Sequence, residues 1–191
     1  AALFLWSDLT EFYHKLGFVS VGKEVRYFLN KEMLNIPPYR ARFDVIPVEN
    51  FTEDICEKLL SLRYPTSYFI ERNFREYKEL LTIPETALIV CYDDKDISAF
   101  GVVGRGQDMN GVMHEWGGKN PMDILHLADF VLEKTDWPEL ILLSPQKILS
   151  GWDALFSTYS FKVETHDMAF MLPIREDLRL EQIFFWGLDS I

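Results

Sequence analysis

The amino-acid sequence predicts an α/β fold, a mixed and largely antiparallel sheet with helices on both faces. Three observations carry this expectation. From residue 43 onward, segments of strand and helix character follow one another as β-α-α-β-β-β-α-β-α-β. Within that order, three consecutive strands are joined by short polar turns, which favours antiparallel pairing, whereas the late strand–helix units need crossovers over the sheet. Finally, the first thirty residues recur near the end of the chain. Leu9, Phe12, Tyr13 and Leu16 correspond, at a constant offset of 143 positions, to Trp152, Leu155, Phe156 and Tyr159. Both sets have the i, i+3, i+4, i+7 spacing of one helix face. Phe18, Val25, Tyr27 and Leu29 then correspond to Phe161, Met168, Phe170 and Leu172, an apolar pattern suited to a strand.

The elements follow from local chemistry. Leu3-Phe4-Leu5-Trp6 reads as a short buried strand. Asp8 and Glu11 stand in capping-box spacing before a helix that stops at Gly17. Val19 to Leu29 is a long strand, and Lys31 to Arg42, with Pro37-Pro38, is a stiff linker. Phe43 to Val48 opens the second copy. Asn50 is positioned to cap a helix carrying Ile55, Leu59 and Leu62, and the next helix carries Ile70, Phe74, Tyr77 and Leu81. Thr86 to Tyr92, Ile97 to Val103 and Val112 to Trp116 are strands. Asp93-Asp94-Lys95-Asp96 is a polar turn that lacks the rest of a calcium loop, and the glycines between Gly101 and Gly106 mark a hairpin end. Gly117-Gly118-Lys119-Asn120-Pro121 breaks the chain before a helix with Ile124, Ala128, Val131 and Leu132 inside. Leu140 to Leu143 is a strand, after which the repeated helix and strand arrive. Residues 1–30 thus form the strand–helix–strand tail of a first copy, 31–42 the linker, and 43–191 a second copy. The apolar run Ile183-Phe184-Phe185-Trp186-Gly187-Leu188 at its end predicts packing on its own domain, on an upstream domain, or on a second copy in a homodimer.

Composition narrows the classes. The chain has 191 residues, 48% hydrophobic and 26% charged, a globular balance. A net charge of −11 repels phosphates, which argues against nucleic acid and anionic membrane surfaces as partners. There is no membrane-length apolar run, and Cys56 and Cys91 form no C-x-x-C pair or zinc spacing, so no metal is expected and a reducing, cytoplasmic setting fits.

The segment Phe12-Tyr13-His14-Lys15-Leu16-Gly17-Phe18, followed by Val21-Gly22-Lys23-Glu24, resembles the end of domains in the GNAT superfamily of N-acetyltransferases. The element order from residue 43 to 174 is similar to that fold, and His114-Glu115-Trp116-Gly117-Gly118 is similar to the second domains of tandem GNAT-like proteins, which often look degenerate. The resemblance implies acetyl transfer from acetyl-CoA to an amine-bearing acceptor. It implies that Tyr13 returns a proton to the coenzyme A thiolate and that Glu115 on the fourth strand acts as general base. Trp116, Gly117, Gly118, Lys119 and Asn120 stand where the family's phosphate-binding loop precedes a helix. Departures are visible too: the equivalent of Tyr13 in the second copy is Phe156, which has no proton to give. Pro121 removes a backbone donor, and Asp123 brings negative charge to the helix start.

Each candidate has a plainer reading. Glu115 also reads as a half-exposed strand carboxylate. His114 alternates with it and so points to the other face unless a bulge intervenes. His14, His126 and His166 have no partner at ligand spacing. Trp116, Trp137, Trp152, Phe156, Tyr159 and Phe161 either line a cleft or fill a core. The expectation is therefore a GNAT-type N-acetyltransferase fragment. The alternative is a non-catalytic GNAT-like module that completes an upstream catalytic domain.

Overall fold

A computed structural model of the chain describes residues 2–5, 7, 9–38, 41–63, 70–145 and 150–173. In chain order the elements are β1 (Ala2–Leu5), α1 (Thr10–Lys15), β2 (Val19–Leu29), β3 (Arg42–Ile46), α2 (Glu53–Leu62), α3 (Phe74–Leu81), β4 (Ala87–Asp93), β5 (Asp96–Val103), β6 (Val112–Gly118), α4 (Pro121–Lys134), β7 (Leu140–Pro145), α5 (Ser150–Thr158) and β8 (Lys162–Pro173). The mixed α/β architecture is as expected. All strands join one sheet in the order β1-β8-β2-β7-β6-β5-β4-β3. Neighbours pair antiparallel except β6 and β7, which are parallel.

The order contains an exchange. β1 does not pair with β2, its successor in the chain, but with β8, and β7 does not pair with β8 but with β2. Each strand–helix–strand unit therefore places its second strand beside the first strand of the other unit. β2 and β8 form the centre of this arrangement, with nine register pairs from Val19↔Met171 to Phe28↔Lys162. Lys23 and Asp167 form an ion pair across it. Ring contacts repeat the exchange: Phe156 of α5 packs on Tyr27 of β2 at 4.9 Å, and Tyr13 of α1 packs on Phe170 of β8 at 5.8 Å. Tyr13 and Phe156 are equivalent in the repeat, as are Tyr27 and Phe170, so the two contacts are one contact formed twice.

Two apolar layers flank the sheet. One joins α4 and α5 to the inner strands through Met113, Trp116, Ile124, Leu125, Ala128, Trp152 and Phe156. The other joins α2 and α3 to β4 and β5 through Phe51, Leu59, Tyr77 and Phe100. Trp137, Tyr159 and Phe161 belong to the first layer, so the aromatic group is core. The linker crosses this layer too, burying Leu34.

Several local expectations are corrected. The cap of α2 is Thr52, whose hydroxyl accepts from the Ile55 amide; Asn50 sits in a short 3-10 turn after Pro47. α3 begins at Phe74 behind an Asn73–Glu76 capping box, leaving Ile70 outside. At α1 the residue before the helix is Leu9, with no side-chain cap, while Asp8 lies outside the described residues. Gly117 and Gly118 are strand residues: β6 runs through them and pairs with β5 as far as Ala99↔Gly118. The run 183–188 lies outside the described residues.

Candidate functional site at the parting of two strands

β6 and β7 share two register pairs, Val112↔Ile141 and Met113↔Leu142, and then part. β6 stays bonded to β5 through Gly118, and β7 stays bonded to β2 through Pro145, so a wedge opens between them. The wedge is filled from within. Trp116 is fully buried, and its indole Nε1 donates to the Leu143 carbonyl at 2.6 Å, one residue beyond the last paired position of β7. Its ring stacks on Trp152 of α5 at 4.8 Å and 18°. A buried indole with its N–H satisfied is a strong packing unit.

A bulge aims this side chain. Val102 pairs with Glu115 while Val103 pairs with Met113, so His114 is an extra residue on β6. Without it, Met113 and Glu115 would share a face; with it, Met113 and Trp116 both enter the α4–α5 layer and Glu115 turns to α2 and α3. His114 is buried. Its Nε2 lies 2.8 Å from the Gly104 carbonyl and donates to it, which leaves Nδ1 buried with no partner. Burial holds this imidazole below its ordinary pKa.

Glu115 is fully buried, not half-exposed. The Arg72 guanidinium donates to both of its oxygens, at 3.2 and 2.9 Å, the Tyr77 hydroxyl donates at 2.8 Å, and Arg63 lies at 3.7 Å. Burial, followed by the Glu115 charge, pushes the Tyr77 phenol well above its usual range. The Glu115 side chain is thus gripped by charged and hydroxyl donors away from solvent, an arrangement for locking β6 to the α2–α3 side of the sheet. Sequence reasoning missed Arg63 and Arg72. They lie outside any regular apolar period, and Arg72 meets Glu115 across 43 positions of chain.

The start of α4 is equally occupied. Asn120 caps the helix, its side chain accepting from the Met122 amide at 3.0 Å, and its carbonyl accepts from the Asp123 amide. Pro121 has no amide hydrogen. Asp123 is buried with Oδ1 lacking a partner. Lys119 points outward and pairs with Asp96 at 3.2 Å; hydrogen bonds from Lys58 and Lys119 hold that carboxyl below its ordinary pKa. Gly117 is small because α2 presses on it: a Cβ there would stand 2.2 Å from the Leu62 carbonyl oxygen.

Tyr13 lies elsewhere. It is partly buried among Phe12, Phe18 and Phe170. Glu115 stands instead among Arg63, Arg72 and Tyr77, so the two catalytic candidates have different surroundings among the described residues. Among the described residues no group of three or more His, Cys, Asp or Glu is placed to hold a metal, and no helix is long and apolar enough to cross a membrane.

No model of a protein family matches the sequence, and neither does any curated protein. Solved structures do match. A conserved protein from Enterococcus faecalis V583, described as a probable N-acyltransferase, aligns with a TM-score of 0.64 and 14% identity over 89% of this chain and 44% of its own. A GCN5-related N-acetyltransferase from Anabaena variabilis gives 0.59 and 12% over 94% of this chain and 48% of its own. Another from Kribbella flavida gives 0.57 and 12% over 89% and 42%. The fold is that of the GCN5-related N-acetyltransferases, and the chain spans less than half the length of these three structures.

Acetyl-CoA, which the resemblance implies, does not fit the residues present here. A pyrophosphate needs free amides and a positive or neutral helix start. At α4 one amide is missing, two are already bonded, and a buried carboxylate with an unpartnered oxygen stands in the first turn. A strand-like arm needs a free carbonyl edge in the wedge, and the Trp116 indole takes that of Leu143.

Proposed function

We propose that this chain is a non-catalytic GNAT-fold module of an N-acetyltransferase, a scaffold that completes a catalytic domain of the same kind. In this reading, acetyl-CoA and an amine acceptor are bound by that other domain. Trp116, Gly117, Gly118, Lys119 and Asn120 serve packing and capping rather than cofactor binding, and Glu115 anchors β6. The observation that carries the reading is the Trp116 indole seated between β6 and β7 with its N–H on Leu143. A net charge of −11 works against nucleic acid as a partner in this reading.

The test is calorimetric titration of acetyl-CoA into the purified 191-residue chain. The expected result is no saturable heat up to millimolar ligand. Saturable micromolar binding would replace this reading with the second one, in which the wedge opens and this copy transfers acetyl itself. The parting of β6 and β7 beyond Met113 favours that second reading.

A further inference from the structure

We infer that β3 is a self-pairing edge: two copies of this chain join antiparallel along β3, about a twofold axis at Phe43, so that their sheets continue into one another. The occupant of the edge is a second copy of the chain. The inference stands apart from the scaffold reading, since β3 lies three strands away from β6.

β3 ends the sheet on the side away from β8. Its five residues, Arg42–Ile46, pair with β4 along one edge, and among the described residues no strand lies along the other. Such an edge offers backbone donors and acceptors to any strand that matches it, and proteins commonly guard it with charge. A guard of one sign repels every copy of itself. β3 carries both signs, because Arg42 and Asp44 stand two positions apart and therefore on one face. Both are exposed, and neither forms an ion pair among the described residues. The Arg42 guanidinium lies over the Tyr92 ring at 4.1 Å, and a guanidinium stacked in this way keeps its in-plane donors for a carboxylate.

The register follows from this pattern. A twofold axis at Phe43 sets Arg42 of each copy opposite Asp44 of the other, and Val45 opposite Ala41. An axis at Asp44 would oppose the two carboxylates. One at Val45 would leave Arg42 opposite the 3-10 turn at Val48. The other face gains from the same choice. Phe43 stacks on Phe130 of α4 at 5.3 Å, and Val45 beside it is 47% exposed. Pairing about Phe43 sets the two Phe43 rings opposite each other, with a Phe130 behind each, and covers Val45. Cross-strand aromatic pairs and opposite-charge pairs are what stabilise a sheet, and one register supplies both.

Sedimentation of the 191-residue chain tests the inference. At about 0.15 M salt the Debye length is about 8 Å, which screens the −11 net charges of the two copies more than it screens directly opposed pairs. Expected is a reversible monomer–dimer equilibrium. Asp44→Arg and Arg42→Asp each set like charges opposite one another and should raise the dissociation constant about tenfold or more. Mixing these two variants restores opposite charges at every pair, as does the double variant Arg42→Asp/Asp44→Arg. Each should return the dissociation constant to within about threefold of the parent. Recovery in the mixture also shows that both single variants are folded. A chain that stays monomeric up to about 1 mM overturns the inference. A dimer indifferent to the single changes overturns it too, because its contact then lies on another face or on the C-terminal segment. So does a double variant that associates as weakly as the single ones.

Discussion

α1 and α5 carry the same apolar spacing at an offset of 143 positions, and they have opposite relations to the rest of the molecule. Their strands are treated alike: Phe18 and Phe161 are both buried, as are Val25 and Met168, and Tyr27 and Phe170. The helices are not. α5 buries Trp152 and Phe156 in the main core, whereas α1 buries nothing. The sequence pattern i, i+3, i+4, i+7 is equally apolar in both, so periodicity records that a face needs covering and says nothing about whether the cover is present. In α5 the cover is β6 with α4. The largest effect is expected there. Trp152→Ala removes the stacking partner of the wedge-filling indole and leaves a cavity, which costs about 3–5 kcal/mol. Urea unfolding of the two proteins measures it, and a loss under about 1 kcal/mol would mean that α5 is not anchored as described.

Second in size is the lock behind that wedge. Glu115→Gln leaves the Arg72 guanidinium, 2.9 Å away, without its counter-charge in a buried site, at a cost of about 3 kcal/mol. Adding Arg72→Met to the same protein removes the stranded cation and recovers part of the loss, which a double-mutant cycle by urea unfolding detects. The cycle sharpens the contrast between the two helices, because no carboxylate–guanidinium cluster holds α1 to its neighbours among the described residues. If Glu115 were instead a solvent-accessible base, the single change would be nearly neutral for stability.

How much of this was legible in the sequence follows from where each signal resides. Elements whose neighbours are close in sequence read well. The run Leu88-Ile89-Val90-Cys91 is apolar because β4 is buried on both faces, and α4 shows its inner side because one helix face meets one layer. The exchange of β2 and β8 was not legible. Strand order is set by pairing between residues about 140 positions apart, as at Lys23 and Asp167, and two strands with the same apolar pattern read alike whichever neighbour each joins. The site was misread for two further reasons. A one-residue bulge at His114 decides where Glu115 and Trp116 point, and alternation has no way to register an inserted residue. Gly117 and Gly118 satisfy the residue preferences of a phosphate loop and of a tightly packed strand equally well; the Leu62 carbonyl that selects the second belongs to a helix 55 positions away. Thr52 and Asn50 are both competent caps, and Pro47, which opens the 3-10 turn, decides between them.

The bulge itself has a pH signature. His114 titrates near 6.5 when unfolded and lower when folded, because burial disfavours its cation. A folded pKa below the unfolded one means that the unfolded chain binds the proton more readily. The contribution of neutral His114 is therefore complete above about pH 6.5, and stability falls as pH drops from there toward the folded value, by up to about 1.4 kcal/mol per pH unit. His114→Gln should flatten urea midpoints between about pH 5 and 7 relative to the parent. A residual slope is expected from His126, which burial also holds down. A midpoint profile unchanged by the substitution would show that His114 does not titrate as its burial requires.

The smallest effect belongs to α1, and its size is the sharpest statement about that helix. Phe12 is more than half exposed, so Phe12→Ala removes little buried area, and alanine's higher helix propensity returns a few tenths of a kcal/mol. In the 191-residue chain the change should leave stability within about 0.5 kcal/mol of the parent. Phe156→Ala, at the matching position of α5, removes a buried ring and should cost about 3–5 kcal/mol. The difference between the two substitutions, read from urea midpoints, measures how differently the two helices are anchored. A loss above about 1 kcal/mol for Phe12→Ala would mean that this ring is packed more closely than its exposure indicates.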